Sequence, residues 1–96
     1  MRPKIKRKIS SIHGASHFTP IMHHSEPVEE ICLGADELEA LMLKDLQGLE
    51  QKKAAAQMGI SQPTFHRILL KARKKLADAV VNGKQLKIER QPEANR

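Results

Sequence analysis

The side chains in this sequence that could do chemistry fall into three groups. His13, His17, His23 and His24, with Cys32, are donor types that hold zinc and other borderline metals. Their spacing matches no standard zinc pattern, and the stretch has no helical period to gather them. They read as surface histidines of a basic segment, and no metal site is expected. Asp36, Glu37 and Glu39 could supply an acid–base pair, but they are bunched at the start of a helical period, where negative charge suits the positive end of the helix dipole. Cys32 has no patterned base beside it and is expected to pack as a small hydrophobe. Neither group points to an enzyme, and neither calls for a cofactor. The third group is Ser61, Gln62, Thr64, His66 and Arg67. Hydroxyl, carboxamide, imidazole and guanidinium groups at one helix start suit recognition rather than bond-making, because their donors and acceptors match base edges and phosphate oxygens.

The formal charge of +6 is unevenly spread. Arg2, Lys4, Lys6, Arg7 and Lys8 fall within the first eight residues, with no acid among them. Residues 26–50 carry eight acids against Lys44 alone, and from residue 51 onward eleven bases stand against three acids. Basic blocks on either side of an acidic one are the footprint of a polyanion partner. The single cysteine rules out a disulfide framework, and no secretory apolar core opens the chain. No apolar run approaches the ~18 residues that span a bilayer. A cytoplasmic setting without membrane contact is expected.

Those side chains must be positioned by a core that has no Trp or Tyr and only two Phe, a composition that favours packed helices over a β-sandwich. Residues 1–28 lack helical period and read as a basic, irregular and partly disordered arm. Residues 29–89 read as one domain and residues 90–96 as a flexible tail. Glu29–Leu33 alternates, with Ile31 and Leu33 to one side, as a short strand does. A first helix begins near Ala35 with Gly34 at its N-cap, lays Leu38, Leu41, Met42 and Leu46 along one stripe, and ends at Gly48. A second runs from Gln51 to Met58, with Ala54, Ala55 and Met58 inward and Gly59 after it. A third opens at Ser61, tolerates Pro63 in its first turn and continues to about Val81. Phe65, Ile68, Leu69, Ala72, Leu76, Ala79 and Val80 share its inner face, with Arg67, Leu70 and Lys74 opposite. Lys84–Glu89 alternates again. A lone strand is not stable, so it is expected to pair with Glu29–Leu33 as a two-stranded clip.

The segment Gln51–Leu70, QKKAAAQMGISQPTFHRILL, has the mechanical parts of a helix-turn-helix. Ala55 is small where two helices cross closely, Gly59 makes the tight turn, Ile60 plugs the angle, and Phe65 and Ile68 anchor the third helix from inside. The run from Asp36 through Gly48, the GISQPTF turn, the VNGK segment and the His17-Phe18-Thr19-Pro20 step together resemble a family of small prokaryotic proteins of unknown function. That family is predicted to bind DNA through a helix-turn-helix similar to that of sigma-factor region four. The resemblance covers about Glu29–Glu89. This chain departs from it at Gly34 and Glu50, where similar chains often carry Ser or Thr caps. It also has Lys52 and Lys53 where acids are usual, and they oppose the helix dipole. Many similar chains carry cysteines in the arm. This one has none there, so no cysteine metal site carries over.

The expected fold is mainly α: a three-helix helix-turn-helix domain with a long third helix, a two-stranded clip and an irregular N-terminal arm. The expected function is sequence-specific binding of double-stranded DNA in transcriptional regulation. Gln62, Thr64, His66 and Arg67 would read bases. Lys52, Lys53, Ser61, Lys71 and Lys74 would hold phosphates, joined by Arg2, Lys4, Lys6, Arg7 and Lys8 of the arm. The alternative is a protein-interaction module docking on RNA polymerase or another partner, which the acidic first helix favours and the basic third opposes. A homodimer is open, with the outward Leu70 as one contact.

Overall fold

The computed structural model describes residues 15–21 and 27–89. The arm bases Arg2, Lys4, Lys6, Arg7 and Lys8, the histidines His13, His23 and His24, and residues 90–96 lie outside the described residues. In chain order the elements are strand β1 (Ala15–Phe18), strand β2 (Glu30–Leu33), helix α1 (Ala35–Leu41) continuing into a π-helical segment (Met42–Leu46), helix α2 (Gln51–Met58), helix α3 (Gln62–Asn82) and strand β3 (Gln85–Glu89). The domain is thus mostly helical, with a small sheet. No described helix is long and apolar enough to cross a membrane.

The sheet corrects the expected two-stranded clip. β3 does pair with β2, in parallel, with Ile31 opposite Leu86 and Leu33 opposite Ile88. A third strand, β1, lies antiparallel on the other edge of β3, with Phe18 opposite Leu86 and Ser16 opposite Ile88. The part of the arm that reads as irregular is therefore a strand at Ala15–Phe18. Its four residues hold only one large apolar side chain, too few to show alternation; the pairing groups of β3 supply what its own sequence lacks.

α3 runs past two packed clusters. Phe65 and Leu69 join Ala40, Leu43, Ala54 and Ala55 in the first. Ala72 and Ala79 join Leu33, Leu86 and Ile88 in the second, beneath the sheet. α1 lies between the two, and this displaces its inward arc. Leu38 packs toward the sheet cluster and Leu41 touches both, whereas Ala40 and Leu43 are buried against α2 and α3. Met42 and Leu46, expected on the buried stripe, are exposed; for Leu46, at the end of the π-helical segment, the broken 3.6-residue period accounts for it. Val80 is likewise exposed instead of buried: Leu76 and Ala79 already cover the sheet at that level. Cys32 is exposed rather than packed, since Ile31 and Leu33 take the inward positions of β2.

The turn between α2 and α3 follows from two residues. Gly59 ends α2 at φ +71°, and the Ile60 N–H donates back to the Ala55 carbonyl at 3.1 Å. Ser61 then caps α3, its Oγ accepting from the Thr64 N–H at 3.3 Å. A Cβ on Gly59 would meet open space, so the cost of any side chain there is conformational. Gly59→Val should lower unfolding free energy by at least ~1 kcal/mol, and Gly59→Asn by less, because Asn tolerates the left-handed region. Urea denaturation measures both; an unchanged midpoint in the valine variant would remove Gly59 as the determinant of the turn.

Candidate nucleic-acid interface

The start of α3 presents Ser61, Gln62, His66 and Arg67 exposed and Thr64 half-buried, so the structure gathers these five expected site residues on the first turns of one helix. Two hydrogen bonds organise them. Ser61 Oγ donates to Thr64 Oγ1 at 2.9 Å, and Arg67 Nη2 donates to the same oxygen at 3.2 Å. Thr64 thereby spends its acceptor capacity inside the protein and holds the guanidinium of Arg67 along the helix start. Its own hydroxyl hydrogen remains to be given elsewhere.

The remaining bases of α3 separate into two sets by their partners. Arg67, Lys71 and Lys74 form the first and Arg73 and Lys75 the second; at about 100° per residue Arg67 and Lys74 point away from the buried Ala72, while Lys71 and Arg73 lie equally far to either side of it. The first set is exposed, and none of its three members makes an ion pair among the described residues. The second set is committed to the fold. Arg73 grips Asp45 of the π-helical segment with two hydrogen bonds, of 3.0 and 2.6 Å. The Lys75 ammonium donates to Glu37 Oε1 and to the Cys32 carbonyl, each at 2.8 Å, tying α3 to α1 and β2. Beyond the helix end, Lys84 reaches Asp78 and Glu29, both at 3.1 Å. The sequence places Lys74 outward, but the acids that take Arg73 and Lys75 are seen only in the structure. Lys52 and Lys53 stand exposed in the first turn of α2, which Glu50 leaves without a side-chain cap.

Glu37 is the one buried charged residue among those described. Burial pushes its carboxyl up, but the hydrogen bonds from Lys75 and from the Gly34 N–H, the latter at 2.8 Å, outweigh that and hold it below the ordinary carboxylate range. Asp45 is also held low, chiefly by its hydrogen bond from Arg73. No three His, Cys, Asp or Glu side chains among the described residues come together as a metal site would require.

A mostly helical domain with a three-stranded sheet and an exposed, partly basic helix start is what the geometry defines. The chain belongs to the family described as protein of unknown function DUF134, which it matches over residues 1–93. It is 49% identical over 88 residues to the UPF0251 protein of Moorella thermoacetica, 46% to a UPF0251 protein of Thermoanaerobacter pseudethanolicus and 51% to one of Dehalococcoides mccartyi. Each alignment takes in 92% of this chain; it spans 59% of the Moorella protein and 75% of the other two. No solved structure matches.

The sorting of bases predicts opposite behaviour on mutation. Lys75→Ala leaves the Glu37 carboxylate and the Cys32 carbonyl without their shared donor, and should cost about 1–3 kcal/mol of stability at neutral pH. Lys71→Ala and Lys74→Ala should stay within about 0.5 kcal/mol of the parent. The pH dependence has a definite sign. Because the folded state holds Glu37 below its ordinary value of 4.5, its contribution is complete above that value and is lost as pH falls through the lower folded one. Glu37→Gln should therefore be less stable at neutral pH and lose less on acidification. Urea titrations between neutral pH and the acid limb test this, and parallel pH profiles for parent and variant would contradict it.

Proposed function

We propose that this chain binds double-stranded DNA with sequence specificity, using α2, the Gly59 turn and the start of α3 as a helix-turn-helix, and that it acts in transcriptional regulation. The observation that carries the reading is the division of labour on α3. Arg73 and Lys75 are consumed by Asp45 and Glu37, while Gln62, His66, Arg67, Lys71 and Lys74 are exposed with no role in the core. A recognition helix offers its polar N-terminal residues to base edges in the major groove while the helix before it crosses the backbone. Arg67 presents two parallel donors that match guanine O6 and N7, and Gln62 matches adenine N6 and N7. Thr64 and His66 complete the reading surface, Thr64 through its remaining hydroxyl hydrogen. Lys52, Lys53, Ser61, Lys71 and Lys74 take phosphates, and the arm bases Arg2, Lys4, Lys6, Arg7 and Lys8 add to the same electrostatic term.

A second reading, docking on RNA polymerase or another protein, is favoured by one observation: Met42 and Leu46 are exposed on the same helical run as Asp36 and Glu39. Salt separates the two. Phosphate binding falls log–log linearly with salt, at a slope of about −0.9 per phosphate neutralised, and apolar docking does not.

Selection from random duplexes, followed by affinity measurements at fixed salt, tests the first reading residue by residue. Arg67→Ala should cost about 1–3 kcal/mol on the selected site and flatten the preference at one base pair, with a smaller loss on random DNA. Arg67→Lys should recover part of the nonspecific binding and less of the discrimination. Lys71→Ala and Lys74→Ala should weaken all sequences alike. Equal losses on selected and random DNA would make Arg67 a phosphate clamp, and salt-insensitive affinity would remove the mechanism.

A further inference from the structure

Between the sheet and the C-terminal half of α3 lies an open groove of about 580 Å³, walled by Leu38, Leu76, Ala79 and Leu86. Phe18 and Val80 stand at its rim, 61% and 81% exposed. Their chain neighbourhood adds Ile21 at 89% and Val81 at 78%. Scattered exposed apolar residues are ordinary, but a hollow with large apolar side chains on its own rim is not. We propose that this groove is a self-association surface, and that its occupant is a second copy of this chain related by a twofold axis.

Shape and charge favour that occupant. A twofold interface uses one patch on both partners, so the patch must carry both the projection and the hollow that receives it. Here Phe18 and Val80 are the projections, and the leucine-lined groove beside them is the hollow. The groove has one charged lining residue, Lys84, and Asp78 and Glu29 neutralise it. Two chains of formal charge +6 can therefore meet at this face without opposing unpaired charges, which the exposed bases along α3 would not allow. An acidic or basic partner finds no complement here. Four exposed apolar side chains beside one groove make a smaller patch than a standard interface uses. A standard interface buries about 800 Å² per partner, so the association is expected to be reversible and concentration-dependent.

If α3 reads DNA, a twofold dimer at this groove also suits the spacing of its two reading helices. Val80 lies thirteen residues beyond Arg67, about 20 Å along the helix at ~1.5 Å per residue. It also lies about 140° around the axis from Arg67 at ~100° per residue. A copy seated on the groove leaves Arg67 clear. A twofold axis near Val80 separates the two Arg67 side chains by up to about 40 Å, a range that includes the ~34 Å between half-sites one helical turn apart.

Sedimentation equilibrium of the full chain without DNA tests the surface, whatever becomes of the DNA reading. The mass should rise from 10.8 kDa toward twice that between low-micromolar and millimolar concentration. Val80→Asp and, separately, Phe18→Ser should each weaken the dimer at least about tenfold. Both side chains are mostly exposed, so the monomer should stay folded, with unchanged far-UV circular dichroism. Leu70→Asp, on the outer face of α3, should leave the dimer intact. A 10.8 kDa species at every concentration would overturn the proposal and leave the groove to another occupant. A dimer that survives both groove variants, or that Leu70→Asp abolishes, would overturn it too. A dimer that behaves as expected in a chain indifferent to DNA would support the surface and refute the DNA reading alone.

Discussion

Burial of one face of α3, from Phe65 to Ala79, is the constraint that every other element answers to. Phe65, Leu69 and Ala72 are fully buried, and burying a Phe or Leu side chain is worth about 1.5–3 kcal/mol. The face is about 20 Å long at ~1.5 Å per residue, too long for the small core that α1 and α2 alone can build. Its first half is covered by those helices. Its second half would lie bare without the sheet, and the sheet exists only because β3 returns from the end of α3 to lie between β2 and β1. The parallel pairing of β2 and β3 follows from the same fact, since parallel neighbours need a crossover and the three helices supply it.

Once that face is committed, the charges of α3 have little freedom. Arg73 and Lys75 sit at its margins, where acids of the preceding elements come within reach, and Lys75 closes a contact among three elements by serving Glu37 and the Cys32 carbonyl together. The two pairs differ in weight. Arg73 and Asp45 are both well exposed, and such pairs contribute at most about 1 kcal/mol. Glu37 is buried, so removing its partner leaves a buried charge poorly compensated. The acidic block of the sequence thus has a partly structural use: two of its carboxylates satisfy bases of α3 instead of facing an external partner.

The helices were legible because their signals are local. Gly59, Gly83 and Ser61 mark ends that the chain can make in few other ways, and the α3 apolar face has a clean 3.6-residue period. β1 was not legible, because ASHF carries no alternation and its pairing is decided by a strand some seventy residues away. The inward face of α1 was misplaced because two clusters pull on it from different sides and the π-helical segment changes the phase, neither of which a helical wheel contains. Cys32 shows the opposite failure: Ile31 and Leu33 already dictated an outward position, and its apolar character argued for an inward one. At the candidate interface the outward place of Arg67 followed from phase. The Thr64 hydroxyl, which holds Ser61 and Arg67 together, could not be seen without coordinates.

The two ends of α3 are also locked to each other. Its interior beyond Pro63 has neither glycine nor proline, so nothing within it bends easily. Phe65 and Ala79 are fourteen residues apart, within about 40° of four full turns at ~100° per residue, and both are buried. Adding or removing one residue between them would turn one end against the other by about 100°. Either the Phe65 cluster or the sheet cluster would then lose its α3 partner. The same phase fixes Arg67 on one side of the helix and Val80 on the other. The orientation of the polar start of α3 relative to the apolar groove is therefore set by core packing, at the level of single residues. The irregular features of the domain, the π-helical segment and the Gly48 turn, lie in the supporting layer where they do not disturb it.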